Sequence, residues 1–153
     1  IAWRSWSNRM TARTLQLTVD VPADPGTVFE AMTDWAAQHE WMLGTRVHGG
    51  RGVGAEIAAF TGIGPLGFWD TMTITRWDPP RVVEVLHTGR VVRGTGVFRV
   101  EPAGSGSRFV WQEVVEPPLG AVGAVGWYAV RPVLAAAVGW SLRRFARFAA
   151  CRS

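Results

Sequence analysis

Two polar residues, Asp70 and His87, interrupt the apolar face of two predicted strands. The alternation places both side chains on the same face, either directly opposite each other or diagonally across the strand pair. A carboxylate that orients an imidazole can form a general base, or it can anchor the polar group of a ligand in an apolar pocket. The pair can equally be a buried hydrogen bond that fixes the register of the two strands. Asp70 and His87 are therefore the candidates for catalysis, with these alternatives left open.

A third charged residue, Glu113, lies on the same predicted face but in a different row of the sheet. Three strand spacings and roughly four residues along the strands put its backbone on the order of 19 Å from that of Asp70. This separation argues against two carboxylates acting together. It favours a Glu113 that is hydrogen-bonded near the first turn of the last helix.

Other motifs of catalytic and metal sites are incomplete. His39 and Glu40 lack the second histidine of a zinc protease motif, and a strand rather than a helix follows the glycine-rich stretch 50–54. No serine or cysteine lies in a nucleophile elbow. The sequence therefore predicts no metal site and no cofactor. Segments 50–54 and 61–67 are predicted to be loops, either mobile entrances to a pocket or ordinary turns.

The elements that position these residues begin with a strand, Arg13–Val21, in which apolar and polar residues alternate. Asp24 followed by Pro25 predicts the start of a helix, and a second short helix fits residues 34–42. Six further strand-like segments follow, at 46–48, 53–60, 68–77, 81–88, 91–100 and 108–115. A long helical stretch, 119–150, comes last and is interrupted by a proline.

Turn chemistry sets the predicted register of these strands. A two-residue hairpin at 89–90 puts Thr88 opposite Val91, and the next hairpin puts Glu101 opposite Arg108. One face of the resulting antiparallel sheet is apolar and the other polar. Only the last helix is apolar enough to cover the apolar face. The predicted fold is α+β: a curved antiparallel sheet of about seven strands wrapped on a long C-terminal helix, with two short helices after the first strand.

Glycines recur where this helix and sheet must meet. Gly94 and Gly96 face the helix from one strand, and Gly120, Gly123 and Gly126 recur every three residues in the helix. Each helical glycine costs about 1 kcal/mol relative to alanine, so the space beside it is expected to matter. A sheet and a helix that both omit side chains can enclose a hollow. The predicted ligand-binding residues are those directed toward it: Phe68, Asp70, Met72, Val85, His87, Gly94, Gly96, Phe98, Phe109, Trp111, Gly123 and Trp127.

The charge distribution argues against a nucleic-acid partner. All 16 basic residues are arginine, against 12 acidic residues, and the formal net charge is +4. Six of the arginines lie outside residues 13–142, so the body of the chain is slightly acidic and lacks the basic footprint of a duplex-binding domain. One cysteine excludes a disulfide-stapled scaffold. The predicted organisation is a leader or extension at 1–10, a single domain at 11–150 and a tail at 151–153.

The chain contains nine tryptophans. Five of them are predicted to face the core: Trp35, Trp41, Trp111, Trp127 and Trp140. Trp69 and Trp77 fall on the polar face by alternation, where an exposed aromatic pair would mark a homodimer or partner surface.

The apolar stretch Leu119–Leu142 contains a single charge and is long enough to cross a bilayer. That charge, Arg131, lies near its middle and Pro132 follows it, which argues against a membrane-spanning helix. The basic residues at 143, 144 and 147 form either a solvated face or a site of attachment to an anionic membrane surface.

The order of one strand, two short helices, six strands and a long terminal helix resembles the START-like, polyketide cyclase/dehydratase and lipid-transport superfamily, whose fold is called the helix-grip. The resemblance covers residues 11–150. It is carried by three stretches: TLQLTVDVPADPGTVFEAMTDW at 14–35, GFWDTMTITRWDPPRVVEVLHTG at 67–89, and SLRRFARF at 141–148. It implies a small-molecule site between the sheet and the last helix, and it transfers no catalytic residue, because the superfamily shares no catalytic motif.

The expected function is that of a binding or carrier protein for an apolar or amphipathic small molecule, lipid-like or polyketide-like. The alternative is a cofactor-independent cyclase or dehydratase in which Asp70 and His87 shuttle a proton. A further alternative is a protein that associates with a membrane surface. A cytoplasmic location is expected, because the chain shows no pattern of a secretory signal.

Overall fold

The computed structural model describes residues 12–117 and 119–153. The predicted leader therefore lies outside the described residues, and from residue 12 onward the element order follows the expected one. The elements before the last helix are β1 (Arg13–Val21), α1 (Pro25–Thr33), a 3₁₀ helix (Trp35–Glu40), β2 (Thr45–Gly49), β3 (Glu56–Ile63), β4 (Leu66–Asp78), β5 (Val82–His87), β6 (Gly94–Ala103) and β7 (Gly106–Val115). The last element is the long helix α2 (Gly120–Ala150).

All seven strands form one antiparallel sheet in the order β1-β7-β6-β5-β4-β3-β2. The second half of α2 packs against this sheet, and α1 closes the same side. The predicted α+β helix-grip fold is confirmed. The start of α1 is also as predicted, because the Asp24 carboxylate accepts a hydrogen bond from Thr27 N at 3.1 Å and caps the helix.

The register between β5 and β6 differs from the prediction. Glu101 lies opposite Arg108 as expected, but His87 pairs with Gly94, so six residues rather than two connect β5 to β6. Thr88 does not turn toward β6, because its backbone N–H donates to Thr71 O of β4 at 2.7 Å. The error moves β5 by two residues along β6, which keeps the faces correct but changes which rows of side chains meet.

Two other predictions about local structure need correction. Segment 61–67 is mostly strand, since β3 continues to Ile63 and β4 begins at Leu66, with a two-residue turn between them. The second short helix is a 3₁₀ helix and ends before Trp41 rather than at Met42.

The tryptophans divide differently from the prediction at three positions. Trp127, predicted to face the core, is half-buried in the first half of α2 and does not belong to the described core. A register shift in β4 between Ile74 and Arg76 turns Trp77 inward, where its ring packs edge-on against Phe29 at 5.4 Å. Trp69 is 54% exposed on the outer face as expected, but Trp140, predicted to face the core, is 40% exposed. Trp69 and Trp77 therefore do not form the predicted outer pair.

Helix α2 continues through Pro132 without interruption, contrary to the prediction. Its second half contributes Leu142, Phe145 and Ala149 to the core, whereas most residues of its first half are exposed. The helix is long and apolar enough to cross a membrane by length and composition, and none of its most apolar 18-residue window is buried in the domain. The fold therefore gives its two halves different surroundings.

Candidate functional site

A cavity of about 270 Å³ lies between the concave face of the sheet, the segment 32–43 and the second half of α2. The sheet supplies apolar walls from β3, β4, β5, β6 and β7, and α2 supplies Leu134, Ala137, Val138 and Ser141. Aromatic side chains make much of the wall. Trp41 packs edge-on against Trp111 at 6.2 Å, and Trp111 packs against Phe98 at 4.6 Å. The volume is near the low end for small-molecule sites.

Eight of the twelve predicted site residues line this cavity: Phe68, Asp70, Met72, Val85, His87, Phe98, Phe109 and Trp111. They come from four different strands, and their inward position follows from the alternation along each strand. The structure places these eight side chains around one cavity, and their role in binding a ligand stays a prediction.

The other four predicted residues do not line the cavity. Gly94 has φ +130°, and a Cβ there would lie 1.9 Å from Val114 O, so this glycine allows two backbones to approach closely. A Cβ at Gly96 would lie 3.1 Å from the Glu113 carboxylate, which occupies the space that the glycine leaves. Gly123 and Trp127 lie in the exposed first half of α2. On the sheet side, the space beside Gly94 and Gly96 is therefore filled by protein atoms. On the helix side, Gly123 lies outside the cavity.

His87 is the centre of a hydrogen-bonded cluster in the cavity wall. Its Nδ1 lies 3.0 and 2.9 Å from the two oxygens of Asp70, and its Nε2 lies 3.0 Å from Glu113 Oε2. The second oxygen of Glu113 accepts from the indole N–H of Trp111 at 3.0 Å. The side chain of His87 is 4% exposed, and those of Asp70 and Glu113 are 13% and 16% exposed. We call Asp70, His87 and Glu113 the carboxylate–histidine cluster.

The conclusion that Asp70 and Glu113 lie too far apart to act together is wrong, although in the observed register they are still three strands and four residues apart. Gly96 pairs with both Val85 and Glu113, so the corrected β5–β6 register brings Glu113 two residues closer to His87. The curl of the sheet shortens the path between their side chains further, whereas the prediction assumed a flat sheet. One imidazole therefore bridges the two carboxyl groups. The predicted contact between Asp70 and His87 is confirmed, as the diagonal pair that the alternation allowed.

The geometry constrains the protons of this cluster. A neutral imidazole has one N–H and one bare nitrogen, and a bare nitrogen facing a carboxylate would be repelled. Three arrangements satisfy all three groups: a doubly protonated His87 between two carboxylates, or a single N–H on either ring nitrogen with the carboxyl group at the other nitrogen protonated and donating to it. In each of them His87 has no free nitrogen directed at a ligand.

The pKa values of the cluster follow from burial and charge. Burial by itself lowers the pKa of His87, but hydrogen bonds and charge attraction from Asp70 and Glu113 outweigh it and raise that pKa to about 9. Burial raises the pKa of Glu113 above its ordinary value, and the hydrogen bond from His87 opposes that rise only in part. His87 therefore holds its proton through neutral pH and cannot act there as a general base.

This protonation predicts how folding stability depends on pH. Because the pKa of His87 is raised in the folded state, its contribution is complete below pH about 6.5 and is lost as the pH rises toward about 9. We expect the free energy of unfolding to fall by about 2–3 kcal/mol over this range. Urea unfolding at half-unit steps of pH measures this change in the free energy of unfolding. In His87→Gln the slope should largely disappear, and an unchanged slope in that variant would contradict the assignment.

Sequence reasoning missed two further features of the cavity. Glu113 was predicted on the correct face but excluded by its distance from Asp70, and the signal that could have included it is the position of His87 between the two carboxyl groups. Trp41 follows the 3₁₀ helix and lines the cavity. Within residues 12–117 and 119–153, its indole Nε1 and Arg13 Nε are the buried side-chain nitrogens without a hydrogen-bond partner.

Comparisons with known proteins agree with this architecture. Residues 12–149 match the family model described as polyketide cyclase / dehydrase and lipid transport. No curated protein matches the sequence significantly.

Solved structures with the same fold have little sequence in common with this chain. The protein TTHA0849 from Thermus thermophilus is 14% identical with a TM-score of 0.78, and the match covers 92% of this chain and 99% of that one. Protein NE0264 from Nitrosomonas europaea is 10% identical with a TM-score of 0.72, covering 92% and 96%.

The di-domain ARO/CYC StfQ of the steffimycin biosynthetic pathway is 13% identical with a TM-score of 0.73. The match covers 93% of this chain and 52% of StfQ, so this chain corresponds to about half of that protein. At these identities the structures establish the fold alone, whereas the family model spans nearly the whole domain. The chain therefore belongs to the polyketide cyclase / dehydrase and lipid transport family.

Proposed function

We propose that this protein binds and carries a small apolar molecule that has an uncharged polar group, and that it holds this molecule in the cavity beneath α2. The observation that carries the proposal is an apolar cavity with one carboxylate–histidine cluster in its wall. Apolar walls supply affinity at about 25 cal/mol per Å² of ligand area buried, and a few polar groups fix orientation.

The polar groups of the cavity select the chemistry of that ligand. The cluster presents carboxyl oxygens, and both nitrogens of His87 are already occupied. A ligand hydroxyl can donate to the carboxyl oxygens of Asp70 or Glu113, both of which line the cavity. An alcohol, phenol or hydroxyketone meets these requirements.

An enzymatic function is the second candidate, and one observation favours it. Glu113 lines the cavity with a raised pKa, which brings its carboxyl group nearer to the range in which it can exchange a proton with a bound substrate. In a cyclase or dehydratase, Glu113 would move the proton and His87 would position it. The similarity to the ARO/CYC StfQ supports the same interpretation at the level of fold. Turnover of a poly-β-ketone analogue that is lost in Glu113→Gln, with binding retained, distinguishes this function from carriage.

A cavity-filling pair of variants tests the proposed binding. Ala137 lines the cavity from α2, whereas its neighbour Ala136 is exposed and does not line the cavity. We expect Ala137→Phe to weaken binding of the uncharged fluorescent probe N-phenyl-1-naphthylamine at least tenfold, because the new ring takes up ligand volume. Ala136→Phe should bind like the unmodified protein.

Native mass spectrometry of the purified protein supplies a second readout, namely the mass of any co-purified small molecule. Circular dichroism shows whether both variants remain folded. Equal probe binding by the Ala137→Phe and Ala136→Phe variants would contradict a ligand site beneath α2.

A further inference from the structure

The face of α2 that points away from the domain is apolar in its first half and basic in its second half. With about 100° of rotation per residue, the residues opposite the buried Leu142 and Phe145 form one continuous strip. We call this strip the outer face of α2, and every member is exposed: Val122, Val125, Ala129, Val133, Ala136, Trp140, Arg143 and Arg147.

The first half of the outer face lacks the polar residues that a solvated helix carries there. Val122, Val125 and Val133 are 72%, 72% and 69% exposed, and Tyr128 beside them is 73% exposed. A surface helix of a soluble domain normally places charged residues opposite its buried side. Burial in the core does not explain this composition either, because none of the most apolar 18-residue segment of α2 is buried.

The second half of the outer face is basic without any neighbouring acid on the same element. Residues 119–153 contain no aspartate or glutamate, while Arg143, Arg144 and Arg147 lie within five positions. In the described part of the chain, Arg143 and Arg147 form no ion pair with a carboxylate. Trp140 lies at the boundary between the two halves, and the guanidinium of Arg144 is 4.8 Å from the centre of its ring.

From this order of apolar residues, tryptophan and arginines we infer that the outer face of α2 lies on an anionic lipid bilayer. The valines enter the boundary of the acyl chains, Trp140 lies at the level of the headgroups, and the arginines contact lipid phosphates. Helix α2 lies on the surface rather than spanning, because its second half is fixed to the core through Leu142 and Phe145.

Charge favours a bilayer over a second copy of the chain as the occupant of this face. Two copies packed through their outer faces would bring two sets of arginines to the interface with no acid on α2 to neutralise them. Phosphates of anionic lipids neutralise each arginine that lies near the surface. The inference does not depend on ligand binding, although Leu134 lines the cavity and is 39% exposed at its edge.

Vesicle co-sedimentation of the full chain tests the inference. We expect binding to vesicles of phosphatidylcholine with 30% phosphatidylglycerol, much weaker binding to phosphatidylcholine alone, and a severalfold loss between 50 and 300 mM NaCl. The double variant Val125→Glu, Val133→Glu should bind at least tenfold more weakly. Its control is Val53→Glu, Val91→Glu, which places the same change at exposed valines outside α2 and should bind normally.

Two outcomes would overturn the inference. One is equal vesicle binding by the two double variants. The other is an unmodified protein that does not bind vesicles and is a dimer in light scattering, while the double variant Val125→Glu, Val133→Glu is a monomer. That result would assign the outer face to a second copy of the chain. Binding of N-phenyl-1-naphthylamine by the same variants reports separately on the cavity, so failure of one proposal is distinguishable from failure of the other.

Discussion

Replacing His87 by alanine should destabilise the protein by about 3–5 kcal/mol at pH 7, because it leaves the carboxyl groups of Asp70 and Glu113 facing an empty site without a cation. The loss should shrink toward pH 4.5, where protonation of Glu113 removes its charge. This direction follows from linkage: burial raises the pKa of Glu113 and the variant lacks the histidine that opposes the rise, so stability is lost as the pH rises through that pKa. Urea unfolding followed by tryptophan fluorescence at pH 4.5 and 7 measures the difference.

The matched control for this experiment is His39→Ala. His39 is exposed, and its Nδ1 lies 2.8 Å from Ala36 O within the 3₁₀ helix. We expect its loss to cost less than about 0.5 kcal/mol, as is usual for exposed positions. A His87→Ala variant as stable as His39→Ala at pH 7 would show that the carboxylate–histidine cluster contributes no net stability.

The sequence determines the faces of the strands more reliably than their register. Alternation depends on each strand alone and the faces survive a two-residue error in register, so Asp70, Met72, His87 and Trp111 lie on the concave side as predicted. The order of elements and the resemblance to a known superfamily then supplied the fold. These two kinds of information were enough to assemble eight of the cavity-lining residues.

Register depends on contacts between strands, and these were not visible in the sequence. The dipeptide 89–90 favours a tight hairpin, but the bond from Thr88 N to Thr71 O outweighs that local preference. The same limitation displaced Glu113, whose partner His87 is 26 positions away in the chain. A bulge in β4 similarly reversed the orientation of Trp77. Errors of this kind arise where tertiary contacts decide between local alternatives.

The glycines illustrate a different limitation. A glycine in an inward position can make room for a ligand, for a backbone or for another side chain, and its sequence does not distinguish these cases. Gly94 leaves room for the backbone of Val114, and Gly96 leaves room for the Glu113 carboxylate. The polar chemistry of the cavity, and with it the expected charge of the ligand, is therefore set by Glu113 rather than by the glycine that was predicted to contact the ligand.

That chemistry predicts strong discrimination between matched ligands of different charge. We expect 2-naphthol to bind at least 100-fold more tightly than 2-naphthoate at pH 7. Among the described residues that line the cavity there is no free cation for the carboxylate of the second ligand, and the groups of the cluster that face it are themselves carboxyls. Leaving a carboxylate unpaired in an apolar site costs several kcal/mol, and about 2.7 kcal/mol corresponds to 100-fold. Isothermal titration calorimetry of both compounds measures the ratio.

Glu113→Gln isolates the cause of this discrimination. Removing one carboxyl group leaves His87 paired with Asp70 alone, so the cluster becomes less repulsive to an anion and the ratio should fall at least tenfold. Glu56→Gln, at an exposed position on β3, should leave the ratio unchanged. If neither naphthyl compound binds, the cavity does not hold a ligand of this size and the carrier proposal fails. If both compounds bind equally, the carrier proposal stands, but the cluster has no part in selecting the ligand. A cavity that binds the neutral and the anionic compound equally well must leave the polar group of its ligand in water.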